Sequence, residues 1–311
     1  FRYRKGPIGM PDIEMRFHKD ILVLSAPPDA TLRRYQADPE LDREFFNLLE
    51  PETLTDIMRF EHIAGAQCLV TGTEGITHAR LAHQRLEEQS GAIAQAALAI
   101  AAELMPQHII AQIGPTNLPL DPFSRVSLKQ NRNQYAQAAR DFGEDGFDAF
   151  LLDGMTSIAD LKCALMGVRM VTDKPVMATV PVDAEGKVLG RDETFVDAVS
   201  VMTDLQADVV GLTTAAPVDV AVQLVKQAAQ TCDLPILVQL AVGEHDAHDV
   251  NPGFRPVILT SDNPYRTTDA VFEAVSPLVA AGAQFLRCVG QATASYTGAL
   301  AIASMGMDAV R

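Results

Sequence analysis

The chain has 311 residues, 48% of them hydrophobic and 21% charged, with 20 Gly, 18 Pro and no Trp. That composition is globular and excludes disorder, collagen-like repeats and a disulfide-stapled miniprotein. Lys and Arg number 25 against 40 Asp and Glu, a net charge of −15, which argues against nucleic acid or an anionic membrane as partner.

The length allows two ordinary domains but also suits one large α/β barrel. A chain of this size buries roughly three quarters of its unfolded surface, so its core needs no metal or disulfide. Cys68, Cys163, Cys232 and Cys288 lie far apart, with no CxxC. That pattern fits a reducing compartment, and a cytoplasmic location is expected. The basic start Phe1-Arg2-Tyr3-Arg4-Lys5-Gly6 leads into no apolar signal core. The most apolar stretch, residues 92–105, carries Gln95 and Glu103 and is too short to span a bilayer.

In chain order, short apolar runs suited to buried parallel strands fall at residues 21–26, 67–73, 108–114, 148–154, 175–182, 208–214, 235–242 and 284–289. Helical spacing separates them at residues 51–64, 77–104, 128–142, 158–171, 195–206, 218–231, 268–281 and 296–309. Pro51, Ser157 and Thr267 mark helix starts. Gly65, Gly146 and Gly282 stand between a helix and the next strand, where a left-handed residue ends the helix. Eight strand–helix units predict a closed (β/α)8 TIM barrel over residues 1–311, with 1–20 as an N-terminal extension. An open doubly wound sheet would carry a Gly-rich first turn, and Ser25-Ala26-Pro27-Pro28 is not one.

The C-terminal strand ends of such a barrel supply its chemistry. Glu74, Asp153, Thr214, Gln239 and Cys288 stand at strand ends and are expected to form a polar ring, because buried strand ends disfavour lone polar groups. The long irregular stretches 117–125 and 244–266 both follow strands and belong over the same mouth. His78 and His83, five apart on one helix, do not form a chelating pair and read as surface histidines. Glu244-His245-Asp246-Ala247-His248-Asp249 clusters possible metal ligands, although an acidic loop is the simpler reading. No P-loop, HExxH or GxSxG motif occurs.

Several stretches resemble the homocysteine S-methyltransferase family, which includes the homocysteine module of cobalamin-dependent methionine synthase and betaine–homocysteine methyltransferase. They are Asn47-Leu48-Leu49-Glu50-Pro51-Glu52, Ala64-Gly65-Ala66, Ile113-Gly114-Pro115-Thr116, Asp160-Leu161-Lys162, Gly186-Lys187-Val188-Leu189-Gly190 and Ala281-Gly282-Ala283. The resemblance runs from about residue 21 to residue 310 and rests mostly on the scaffold. It implies a (β/α)8 barrel and a place in methionine and one-carbon metabolism. It also implies a zinc held by three thiolates, which lowers the thiol pKa of homocysteine. The matching positions here are Thr214, Cys288 and Val289, so one thiolate of three is present. The family's substrate positions differ too, reading Ser25-Ala26, Thr71-Gly72-Thr73, Asp153-Gly154 and Leu240-Ala241-Val242.

The expected catalytic groups are therefore Asp153, Glu74 and Cys288. Ser25, Ala26, Gly72, Thr73, Thr213, Thr214, Gln239 and Gln291 are expected around a small-molecule substrate. One expectation is methyl transfer from a small methylated compound or a corrinoid-binding partner protein, without the zinc cage. A catalytically silent ligand-binding or regulatory barrel is a second. A third is a zinc enzyme with its metal site rebuilt from Cys288, His245 and His248.

Overall fold

A computed structural model describes residues 12–35, 43–243 and 263–311. The eight apolar runs become strands β1 (Leu22–Val23), β2 (Cys68–Val70), β3 (His108–Ile113), β4 (Ala149–Leu152), β5 (Val176–Pro181), β6 (Val209–Thr214), β7 (Ile236–Val242) and β8 (Ala283–Gly290). All pair in parallel within one sheet of order β1-β8-β7-β6-β5-β4-β3-β2. A parallel bridge between Leu24 and Cys68 joins the first strand to the second, with Ser25 N donating to Cys68 O at 2.9 Å. The barrel closes there. Strands buried on both faces need apolar side chains on both, which is why these runs are continuous instead of alternating.

The helices are α1 (Asp29–Tyr35), α2 (Phe46–Leu49), α3 (Pro51–Ile63), α4 (His78–Leu81), α5 (Ser90–Glu103), α6 (Arg125–Phe142), α7 (Ile158–Arg169), α8 (Phe195–Asp204), α9 (Val218–Thr231), α10 (Thr268–Ala281) and α11 (Ala294–Ala303). Pro51 opens α3, while the hydroxyls of Ser157 and Thr267 accept from Asp160 N and Ala270 N to cap α7 and α10. Gly65 and Gly282 have φ of +111° and +119°. At Gly65 a Cβ would also meet Ala301 Cβ at 2.6 Å, so glycine is required there for both backbone and space.

Two of the predicted helices differ from expectation, and α1 and α2 form where none was predicted. The helix predicted over 77–104 breaks into α4, two 3-10 turns and α5, because Arg85 adopts a left-handed conformation at φ +58°. His78 Nε2 and Ser90 Oγ, 2.8 Å apart, tie the pieces together. The last helix, predicted to run to 309, stops at Ala303, and the chain beyond it turns back so that Ala309 N donates to Lys19 O at 2.8 Å.

That tail meets the N-terminal segment, which stoppers the barrel. A 3-10 turn, Ile13–Arg16, buries Ile13 among inward-facing residues including Leu22, Val70 and Phe285. Phe17 packs edge-on against Phe285 with ring centroids 5.8 Å apart. The Gln284 amide nitrogen donates to Arg16 O and Asp20 O. The N-terminal end is thus filled by hydrocarbon, and the polar groups gather at the other end.

Candidate active site at the C-terminal mouth of the barrel

Side chains alternate inward and outward along each strand. In β8, Phe285 packs in the barrel interior, Arg287 reaches across it, and Val289 packs with Ala215 and Ala241 at the mouth. Leu286 and Cys288 lie in the other phase, in the core between barrel and helices. The same alternation brings Gln112, Asp153, Thr179, Thr213 and Gln239 into the centre from five strand ends.

Asp153 and Arg287 form an ion pair there, with Oδ2 and NH1 3.0 Å apart and each side chain 1% exposed. Asp153 Oδ2 also accepts from Gln112 Nε2 at 2.6 Å. Its Oδ1 accepts from Thr179 Oγ1 at 3.0 Å and Gln239 Nε2 at 2.8 Å. Arg287 donates further to Gln239 Oε1 at 3.0 Å and Ser25 O at 2.8 Å. A buried charge needs this many partners to be tolerated.

Above this floor opens a cavity of about 290 Å³, near the small end of ligand pockets. Asp153, Glu74, Thr213 and Thr214 line it, with Pro27, Asp29, Leu189 and Arg191 at its walls. Glu74 Oε1 lies 3.6 Å from Arg80 NH1. Glu74 also folds over Gly114, where a Cβ would meet its Cγ at 2.5 Å. Asp153 and Glu74 line one cavity, and each has an arginine beside it, so neither is a carboxylate buried without a cation.

Other predicted site residues serve the walls from behind. The Ser25 hydroxyl accepts from Val70 N, Ala26 N donates to Glu61 Oε2, and Asn47 donates to Gly72 O. Thr73 Oγ1 donates to Gln112 O at 2.8 Å, and Gln291 N donates to Val242 O. Cys288 does not join the polar ring. Its thiol is fully buried on the helix side, and burial with the Glu61 carboxylate nearby pushes its pKa above the usual thiol range. Strand parity is the reason: the inward position beside it belongs to Arg287.

The residues matching the family's zinc ligands do not make a thiolate cage. Thr214 Oγ1 accepts from Ala216 N, Val289 packs with Ala215 and Ala241, and Cys288 is buried in the core between barrel and helices. Among the described residues no three His, Cys, Asp or Glu side chains are grouped to hold a metal. His245 and His248 lie outside the described residues. Arg287 was missed by the sequence reading, although a signal was present. It is the charged residue in an otherwise apolar inward phase, between Phe285 and Val289.

The fold and site define a closed (β/α)8 barrel with a ligand-sized cavity over a buried carboxylate–guanidinium floor. The chain belongs to the homocysteine S-methyltransferase family, whose model matches residues 29–289. A methionine synthase from Mycobacterium tuberculosis (strain ATCC 25618 / H37Rv) is 26% identical over 183 residues, 54% of this chain and 15% of that protein. The chain therefore spans only a small part of that relative's length. The oxidised form of the homocysteine methyltransferase MmuM from Escherichia coli superposes with a TM-score of 0.72 at 14% identity, covering 90% of this chain and 95% of that one. Its metallated form gives 0.70 at 15% identity, covering 91% and 96%. At such identities the likeness establishes the fold. Among the described residues no helix is long and apolar enough to cross a membrane.

Proposed function

We propose that this chain is a methyl-transfer barrel of its family that binds a small methylated compound in the mouth cavity and does not activate its acceptor through a three-thiolate zinc. The observation that carries the reading is the composition of the mouth. Thr214 and Val289 supply no sulfur, Cys288 faces the helices, and the central position is held by Asp153 and Arg287. A corrinoid-binding protein is the partner this reading favours as methyl carrier. A cytoplasmic setting belongs to it too, supported by four cysteines of which none is bridged.

The test combines metal analysis with a transfer assay. Protein purified with zinc present is expected to hold no stoichiometric zinc that depends on Cys288. The Cys288→Ala variant and a variant with His245 and His248 replaced make that comparison. Stoichiometric zinc lost on Cys288→Ala would restore the rebuilt-metal alternative. Methylated amines, methylated sulfur compounds and methylcorrinoids are then assayed as donors.

A second reading, a silent ligand-binding barrel, is favoured by one specific feature. Both oxygens of Asp153 are occupied by protein donors, which suits a structural anchor better than a proton carrier. Ligand binding without methyl transfer from any donor class would select it.

A further inference from the structure

Charge accounting at the cavity points to a ligand class. Each carboxylate lining it is met by an arginine: Asp29 by Arg43, Glu74 by Arg80 at 3.6 Å, and Asp153 by Arg287 at 3.0 Å. One more arginine, Arg191, lines the cavity on its own account. It stands on the turn that follows β5, where Val182 bridges Val188 and Lys187 bridges Thr194. Its Nε donates to Thr156 O at 3.4 Å, and no carboxylate of the described residues lies within ion-pair distance of it. Asp160 is within electrostatic reach but sits behind Thr156. Its oxygens are taken by Tyr135 Oη and by Thr156 N and Oγ1. The described cavity wall is therefore three neutral pairs plus one cation, on a chain whose net charge is −15.

The floor agrees. A carboxylate has about four lone-pair sites, and Asp153 accepts from Gln112, Arg287, Thr179 and Gln239. No acceptor site on it remains for a ligand ammonium. Between floor and rim the walls are apolar, from Pro27, Pro181, Leu189, Ala215, Ala241 and Val289.

We propose that the cavity takes a small monocarboxylate with an apolar body, its carboxylate held by Arg191 at the rim and its body against the apolar walls. A single guanidinium matches a planar monoanion, whereas a phosphate dianion would call for more positive charge than the described wall offers. The proposal rests on the reading of this cavity as the substrate site and names the charge of what enters it.

The experiment is a calorimetric titration of the whole chain at low ionic strength with two probes of similar length, pentanoate and butyltrimethylammonium. Wild type is compared with Arg191→Gln and Lys187→Gln. Arg191 is exposed, so its replacement leaves the fold in place. Lys187 lies on the same turn but is paired with Asp192 and lines no part of the cavity. Pentanoate is expected to bind at least about tenfold tighter than the ammonium probe, and Arg191→Gln to weaken it by about tenfold while Lys187→Gln leaves it unchanged. Tighter binding of the ammonium probe, an equal loss in both variants, no loss in Arg191→Gln, or no pentanoate binding in the tens of millimolar would each overturn the proposal. Because binding is read without turnover, its failure leaves methyl transfer open, and a failed transfer assay leaves the ligand charge standing.

Discussion

Asp153 and Arg287 sit where the barrel interior changes from hydrocarbon to polar, each 1% exposed. Removing one partner of such a pair strands a buried charge, so Arg287→Met is expected to lower unfolding stability by about 3–5 kcal/mol in urea denaturation. Adding Asp153→Asn to that variant is expected to recover part of the loss, because the stranded charge is gone while an amide oxygen still accepts from Thr179 and Gln239. A double variant as unstable as the sum of its parts would show the two groups to be independent. Glu61 poses the opposite case. It is buried in α3, accepts from Ala26 N and Thr297 Oγ1, and burial raises its pKa above 4.5 despite those bonds and the attraction of Arg287. A raised acid holds more protons folded than unfolded, so its contribution to stability is greatest below the unfolded pKa and is lost as pH climbs through the folded one. The Glu61→Gln variant, which keeps an acceptor for both donors, is expected to flatten that decline. Denaturation midpoints from pH 4 upward that fall as steeply as in wild type would show that Glu61 does not cause it.

Among the elements, the N-terminal 3-10 turn has the clearest consequence. Its Ile13 fills the interior between Leu22, Val70 and Phe285, at the end of the barrel away from the cavity. Ile13→Ala leaves a void that close-packed strands cannot collapse around, at a cost of about 2–4 kcal/mol. Pentanoate affinity at the mouth is expected to stay unchanged, since the two ends share no side chain. A change in affinity larger than the change in stability would mean the stopper sets the shape of the mouth. The elements also show where sequence pattern is dependable. The helices α9 and α10 have the bounds their periodicity predicts, whereas the stretch across α4 and α5 does not. Helical spacing continues through Arg85, and nothing local in a run of helix-forming residues announces a left-handed turn.

At the scale of the whole molecule, the cysteines report on closure of the barrel and its helix layer. Cys68, Cys163 and Cys288 are buried, and burial raises each thiol pKa, to about 11 for Cys163. Only Cys232 is partly exposed. A thiol reagent at neutral pH is therefore expected to modify one cysteine in the folded chain and four after denaturation. Rapid modification of Cys288 in the folded protein would mean that the mouth opens far enough to turn its helix-facing side to solvent.

The amino-acid sequence by itself determined the barrel, its eight parallel strands, the capping residues and the clustering of Glu74, Asp153, Thr214 and Gln239 at one end, although it wrongly placed Cys288 among them. These follow from local pattern, because apolar runs, caps and left-handed glycines act over a few residues. Only the tertiary structure decided who partners whom. Arg287 reaches Asp153 across 134 positions of sequence, and Gln239 reaches it across 86. Such contacts depend on which phase of each strand faces inward once eight strands close. That one-residue choice put Arg287 at the centre and turned Cys288 away from it.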